Sequence, residues 1–467
     1  MIDNREKYNT LRQHNPLFEY LAFHYKVEDE GMKVWFDFRM GDVEFHPTAL
    51  IDRRQFLRLE PDNIDRLVFD IGMAELVSYW KCACPPRVEV QCGQLDLYEL
   101  GFWKKLYWNG LGEFFFTNGL ISDKSSCVSI SDFMSLDCTN DAPQLAPPDS
   151  LNLCHTVDYL VPVGGGKDSV VSLELLRRAG KRVRPLIMNP RGATVMCASK
   201  AGFAMDDVLV IHRSIDPALL ELNRKGYLNG HTPFSAMLAF YTRLASHLSG
   251  VPNVALSNES SANESTVAGM SVNHQYSKSR EFEDDFRAYC SHLGSSDTSS
   301  VSSNFNYISF LRPLTELQIA MLFSRFDAYH EVFRSCNAGS KTDVWCGHCA
   351  KCLFAYVILS PFIEPERLDT IFGKAMLDDL SLQHELAELV GLAPTKPFEC
   401  VGTVDEVRQA LAMAATRWPD RRHVNLLQTL DIPTPHEWID LSKPAGQANL
   451  TDEEYAILTQ ACIEKNN

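Results

Sequence analysis

The chain has 467 residues, 45% of them hydrophobic, a formal net charge of -16 and a sequence pI of about 5.3. That length buries a large core and allows two or three domains, while the acidic balance disfavours broad DNA or RNA binding and leaves room only for a local basic pocket. No run approaches the roughly 18 uncharged apolar residues of a membrane span, and MIDNREKYNTLRQHNPLFEY at the N-terminus lacks the apolar core of a signal peptide. The expectation is a cytoplasmic protein with no membrane partner, no nucleic-acid partner and no obligate protein partner.

Residues 15–120 read as a mixed α/β region. The alternation in Lys33-Val34-Trp35-Phe36-Asp37-Phe38 predicts a strand, and the apolar spacing across 64–80 predicts a helix. Aromatics crowd the run FWKKLYWNGLGEFFF at 102–116. Rings bury large areas wherever they occur, so this run reads as core or domain interface before it reads as the wall of a substrate cleft. Prolines and small polar residues displace periodicity in CTNDAPQLAPPDSLN at 138–152, which marks a linker.

From residue 156 the pattern changes. Strands are expected at 159–163, 183–188, 208–212 and 254–257, with helical stretches between them, notably 235–248. That alternation implies a parallel sheet covered on both faces, binding ligands beyond the carboxyl ends of its strands. The serine-rich stretch SHLGSSDTSSVSSNF at 291–305 reads as a mobile loop and candidate lid. A proline-containing joint at 393–397 precedes a small helical tail. The expected organisation is a mixed α/β N-terminal domain over 1–150 with substrate contacts, a nucleotide-binding domain over 151–395, and a helical region over 396–467.

Gly164-Gly165-Gly166-Lys167-Asp168-Ser169 stands between an expected strand and a helix expected to begin near Ser169. Three glycines let the backbone approach an anion, and a helix start turns free N–H groups and a positive dipole end toward it. Lys167 adds a full charge, Ser169 can cap the helix or donate to a phosphate, and Asp168 is a candidate Mg²⁺ ligand. The spacing fits neither G-x-x-x-x-G-K-[ST] nor G-x-G-x-x-G. It resembles the PP-loop of the N-type ATP pyrophosphatases, S-G-G-x-D-S, with Gly164 where that pattern has serine, so that one hydroxyl contact is lost. The resemblance implies a parallel-sheet PP-loop domain that cleaves ATP between its α and β phosphates and adenylates a carboxylate or carbonyl oxygen. Gly164, Gly165, Gly166, Lys167 and Ser169 would hold pyrophosphate, and Lys167 and Asp168 would act in catalysis.

Cys336, Cys346, Cys349 and Cys352 are spaced C-x9-C-x2-C-x2-C, among fourteen cysteines otherwise scattered. Four thiolates so placed suit a closed, structural Zn²⁺ site; an iron–sulfur site, a redox dithiol or simple burial are the alternatives. His348 reads as a surface side chain rather than a fifth ligand. A similar four-cysteine site occurs in PP-loop enzymes that make 7-cyano-7-deazaguanine. Asn258-Glu259-Ser260 follows an expected strand, so Glu259 is either a second Mg²⁺ ligand or part of a solvated loop. Gly230-His231-Thr232-Pro233-Phe234-Ser235 reads as a helix start before it reads as a nucleotide contact. In Asn273-His274-Gln275-Tyr276-Ser277-Lys278-Ser279, the side chains of His274, Tyr276 and Lys278 are candidates for acid–base work, with a plain polar loop as the competing reading. Arg312 and Lys341 are further candidate anion contacts.

The segments SYWKCACPPRVEV, FWKKLYWNGLGEFF, VPVGGGKDSVVSLELL, NHQYSKS, WCGHCAKC and KPFECVGT together resemble the family of UDP-N-acetyl-α-D-muramoyl-L-alanyl-L-glutamate epimerases, over about residues 15 to 410. The resemblance implies an ATP- and Mg²⁺-dependent inversion of the terminal L-Glu of a UDP-MurNAc-dipeptide, releasing AMP and pyrophosphate, in peptidoglycan precursor synthesis. The competing readings are a PP-loop ligase or amidase, a tRNA-modifying member of that fold, which the acidic charge disfavours, and a non-catalytic nucleotide-binding module.

Overall fold

The computed structural model describes residues 3–56, 63–121, 128–149, 151–266, 272–294, 305–339, 342–418 and 425–464. The chain is mixed α/β and divides into two compact units. Unit 1 comprises Met1–His155, Leu209–Val254 and Gly269–Asn306; unit 2 comprises Thr156–Val208, Ala255–Ala268 and Tyr307–Asn467.

In unit 1, strand Gly31–Met40 buries Val34, Phe36, Phe38 and Met40 on one face, as period-two alternation demands. It pairs antiparallel with Leu17–Val27, Val43–Phe45 and Thr48–Asp52. Strands Arg87–Val90 and Ser135–Cys138 continue in parallel from Leu17–Val27. The strand expected at 208–212 forms as Leu209–Arg213 and pairs antiparallel with Thr48–Asp52.

The helix expected over 64–80 is Asp65–Trp80, and Arg66 through Trp80 are all buried. A helix wrapped on every side must satisfy its polar side chains internally. Gly72 lets it approach the sheet: a Cβ there would lie 1.8 Å from the Tyr20 hydroxyl. Arg66 Nε donates to Asp70 at 3.0 Å, its Nη2 to Glu99 at 2.5 Å and to the Tyr289 hydroxyl at 2.8 Å; Tyr289 donates to Asp70 at 2.8 Å. Arg243 stands 3.5 Å from Asp70. These five residues come from all three chain segments of unit 1. The aromatic run lies in helices Leu97–Gly110 and Gly112–Thr117 and packs as core: Phe102 stacks on Tyr289 at 4.3 Å and Trp103 on Phe240 at 4.8 Å.

In unit 2, Tyr159–Pro162 pairs in parallel with Val183–Met188, and the strand order runs Asn306–Ser309, Asn253–Leu256, Tyr159–Pro162, Val183–Met188. Helix Lys167–Arg178 follows the first of these strands, beginning two residues before Ser169. Helices Val404–Arg417 and Asp452–Ile463 each open on a capping box, Thr403/Glu406 and Thr451/Glu454. Among the described residues no helix or strand lies between Cys138 and Tyr159. Most of the serine-rich stretch, 295–304, and Lys341 lie outside the described residues. Among the described residues no helix is long and apolar enough to cross a membrane.

Removing one partner of the Arg66 network leaves an uncompensated buried charge. Asp70→Ala is expected to cost about 3–5 kcal/mol, and Tyr289→Phe about 1–2 kcal/mol, read by urea denaturation.

Candidate active site

Gly166 is the N-cap of helix Lys167–Arg178, so Lys167, Asp168 and Ser169 occupy its first turn, where backbone N–H groups lack intrahelical partners. Gly165 takes φ +82°, and a Cβ there would lie 3.0 Å from both Ala193 Cβ and Thr194 N. Its carbonyl accepts from Arg334 N at 2.8 Å. A Cβ at Gly164 would meet nothing within 4 Å, so the position that departs from the PP-loop pattern faces open space. The Ser169 hydroxyl donates to the Gly166 carbonyl at 3.0 Å, closing the turn.

Lys167 is buried and ion-paired to Asp168 and to Glu316, itself buried in helix Glu316–Phe323. Burial pulls the lysine down, but the two carboxylates overcome it and hold the ammonium above the usual lysine range. Burial, then the charges of Asp168, Glu259 and Glu406, push Glu316 well above the usual carboxylate range against the pull of Lys167. The side chain of Asp168 keeps 32% exposure. Glu259 is buried, takes the Ser261 hydroxyl at 3.4 Å, and its backbone carbonyl accepts from Arg312 at 2.7 Å. Glu406 accepts from Glu316 N at 2.5 Å. Asp168 and Glu316 thus share one buried lysine, and the charges of Glu259 and Glu406 reach Glu316. That is more negative charge than Lys167 alone neutralises, and oxygen donors of this kind suit Mg²⁺.

The four cysteines of unit 2 converge. Sγ separations are 4.0 Å for Cys336–Cys349, 3.6 Å for Cys346–Cys352 and 3.4 Å for Cys349–Cys352. Zn–S bonds of 2.3 Å give tetrahedron edges of about 3.8 Å, so the donor set fits such an ion. Gly339 N points at Cys336 Sγ at 3.1 Å, the kind of support a thiolate takes. His348 is exposed and its Nδ1 lies 2.8 Å from the Cys346 carbonyl, outside the donor set.

In unit 1, His274 meets Glu113, and so does His231, whose Nδ1 lies 3.1 Å from Glu113 Oε2. Burial drives His231 down to about 4 against the opposing charge of Glu113. Buried Lys81, brought down to about 8 chiefly by burial, donates to the Gly230 carbonyl and to the Thr232 hydroxyl on either side of His231. Tyr276 is buried and pushed up to about 12 by burial, so it stays protonated at neutral pH. Lys278 is half-buried in the turn Tyr276–Lys278. Sequence reasoning carries no signal for Glu113 and Lys81, which look like single charges in aromatic or cysteine-rich runs. His231 was legible only as part of a helix start, His231-Thr232-Pro233 directly before the long apolar helix Phe234–Ser249.

Gly165→Ala forces a side chain into a left-handed conformation against neighbouring backbone. It is expected to lose more than about 1 kcal/mol in thermal denaturation, whereas Gly164→Ser should be nearly neutral.

Residues 9–307 match the MurL N-terminal domain and residues 332–442 the MurL C-terminal domain. The chain is 37% identical over 349 residues to the UDP-N-acetyl-alpha-D-muramoyl-L-alanyl-L-glutamate epimerase of Xanthomonas oryzae pv. oryzae, covering 73% of this chain and 72% of that one. It is 36% identical over 361 residues to the protein of the same name from a Micromonospora species, covering 75% of each, and 35% identical over 363 residues to that of Salinispora tropica, covering 75% and 74%. With both domains matched in order and about three quarters of each relative covered, the chain belongs to the MurL family.

Proposed function

We propose that this chain inverts the α-carbon of the terminal glutamyl residue of UDP-MurNAc-L-Ala-L-Glu, in the cytoplasm, and does so by adenylating that residue's carboxylate. The substrate and the inversion rest on the relatives, which bear the name of this epimerase. The adenylation rests on one observation: Lys167 and Asp168 stand in the first turn of a helix opened by Gly165 and Gly166, with buried Glu316 paired to Lys167 and the charge of buried Glu259 acting on Glu316.

The chemistry needs the activation. An α-hydrogen beside a free carboxylate is barely acidic, because its removal creates a dianion. Joined to AMP as a mixed anhydride, the carboxylate becomes an acyl group that takes the carbanion's charge as an enolate, and an ordinary base can then act. The backbone N–H groups at 164–166 and the Lys167 ammonium would hold the pyrophosphate portion of ATP, with Ser169 bracing the turn. Asp168 and Glu259 would hold Mg²⁺, which supplies charge neutralisation between phosphate oxygens. The loop carrying His274, Tyr276 and Lys278 would supply an acid–base group to the inversion. Pyrophosphate leaves when the carboxylate is adenylated, and hydrolysis of the inverted acyl-adenylate leaves D-Glu and AMP. The four cysteines would hold a structural Zn²⁺ with no open position for chemistry.

Incubation with ATP, Mg²⁺ and UDP-MurNAc-L-Ala-L-Glu, followed by chiral analysis of the glutamate, should yield D-Glu and AMP at unchanged peptide mass. Lys167→Ala should lower AMP release at least about 100-fold. A product of altered mass points instead to a ligase or amidase, and ATP binding without AMP to a nucleotide-binding module. Metal analysis should return one zinc per chain, lost in Cys349→Ser together with several degrees of melting temperature.

A further inference from the structure

Glu113, His231 and His274 come from three separate stretches of unit 1. Glu113 lies in the first turn of helix Gly112–Thr117, His231 in the loop before helix Phe234–Ser249, and His274 before the turn Tyr276–Lys278. Both imidazoles turn Nδ1 to the same oxygen, Glu113 Oε2. Their ring centroids are 4.7 Å apart with planes inclined at 55°. A carboxylate oxygen only accepts, so the His274 Nδ1 hydrogen-bonded to it carries the hydrogen, and in the neutral ring the basic lone pair of His274 falls on Nε2. One carboxylate therefore orients His274 by a hydrogen bond and stands 3.1 Å from the second base, His231.

The cluster is not sealed as the Arg66–Asp70 pair is. The side chains of His231, His274 and Glu113 keep 20%, 12% and 15% exposure, against 3% and 1% for Arg66 and Asp70. Burial keeps His231 neutral at pH 7. Lys81 clamps the backbone on both sides of His231 and sets a positive charge beside it, which favours negative charge developing on a substrate nearby.

Resting on the epimerase reading above, we infer that His231 and His274, aligned by Glu113, are the acid–base pair that inverts the glutamyl α-carbon. In the L-to-D direction the Cα–H bond breaks and its proton passes to Nε2 of His231. The electron pair enters the Cα–C bond, leaving an enolate on the activated acyl group. Nε2–H of a protonated His274 then delivers a proton to the opposite face of Cα, and exchange with water restores both rings. No oxidant or reductant takes part. Two imidazoles and a carboxylate with ligating atoms within 4.8 Å are also a donor set for a transition-metal ion. The Lys81 ammonium beside them opposes a second cation and favours proton transfer.

The test is deuterium exchange in D₂O with ATP, Mg²⁺ and each epimer of the UDP-MurNAc-dipeptide, with AMP followed in parallel. Wild-type enzyme is expected to give D-Glu deuterated at Cα. His274→Asn should wash deuterium into the L-epimer without forming D-Glu, and His231→Asn into the D-epimer without forming L-Glu. Each should lose inversion at least about 100-fold while AMP release falls less than tenfold, which also certifies a folded protein. Glu113→Gln, a positioning change, should lower kcat about 10- to 100-fold with KM unchanged. Inversion retained within tenfold in both histidine variants overturns the pair, as does a metal ion bound stoichiometrically in wild type and absent from Glu113→Gln. Wild-type enzyme that forms no D-Glu at all overturns the epimerase reading itself, a different result from an active wild type with unimpaired variants.

Discussion

The Arg66 guanidinium, buried beside Asp70, Glu99 and Tyr289, is the constraint on which unit 1 depends. Burial opposes its charge, and the neighbouring carboxylates hold it well above the usual arginine range. A buried cation of this kind is costly unless every partner arrives, and the partners lie on helix Asp65–Trp80, at the start of helix Leu97–Gly110 and on helix Arg280–Gly294. A second buried pair, Arg213 with Glu75, is joined by the Tyr241 hydroxyl at 3.0 Å and fastens the segment 209–254 in the same way. The two networks fix the helices between which Glu113, His231 and His274 are presented.

Unit 2 is organised around the opposite excess. One buried ammonium, Lys167, is shared among carboxylates that outnumber it. The helix start carries partial positive charge and the acids around Lys167 carry oxygen, the two halves that the proposed polyphosphate and Mg²⁺ contacts would use.

Much of this was legible in the sequence where the signal is local. The period of 3.6 in 64–80 and 235–248, the alternation in 33–38, and the glycine run before an amphipathic helix each encode structure within a short window. The cysteine spacing brought four thiols together as expected. What stayed hidden depends on distance along the chain. Glu316 sits in Thr315-Glu316-Leu317-Gln318, which carries the signature of a capping box, and the box is there, yet its ion pair with Lys167 spans 149 residues. Glu113 and His274 are 161 residues apart. No periodicity conveys such a meeting, and the return of 209–254 and 269–306 to pack with the N-terminal segment leaves no trace in composition.

That discontinuity bears on synthesis. Arg66 and Tyr289 are 223 residues apart, which at ribosomal rates separates their emergence by roughly 10 to 45 seconds. Throughout that interval the buried network of unit 1 lacks Tyr289, while much of unit 2 is made in the gap. The nascent chain must therefore wait, with the aromatic faces of its first helices exposed, and the two units mature almost together rather than in order. For this fold, the period of greatest exposure to aggregation and to chaperones falls on the ribosome, before either site exists.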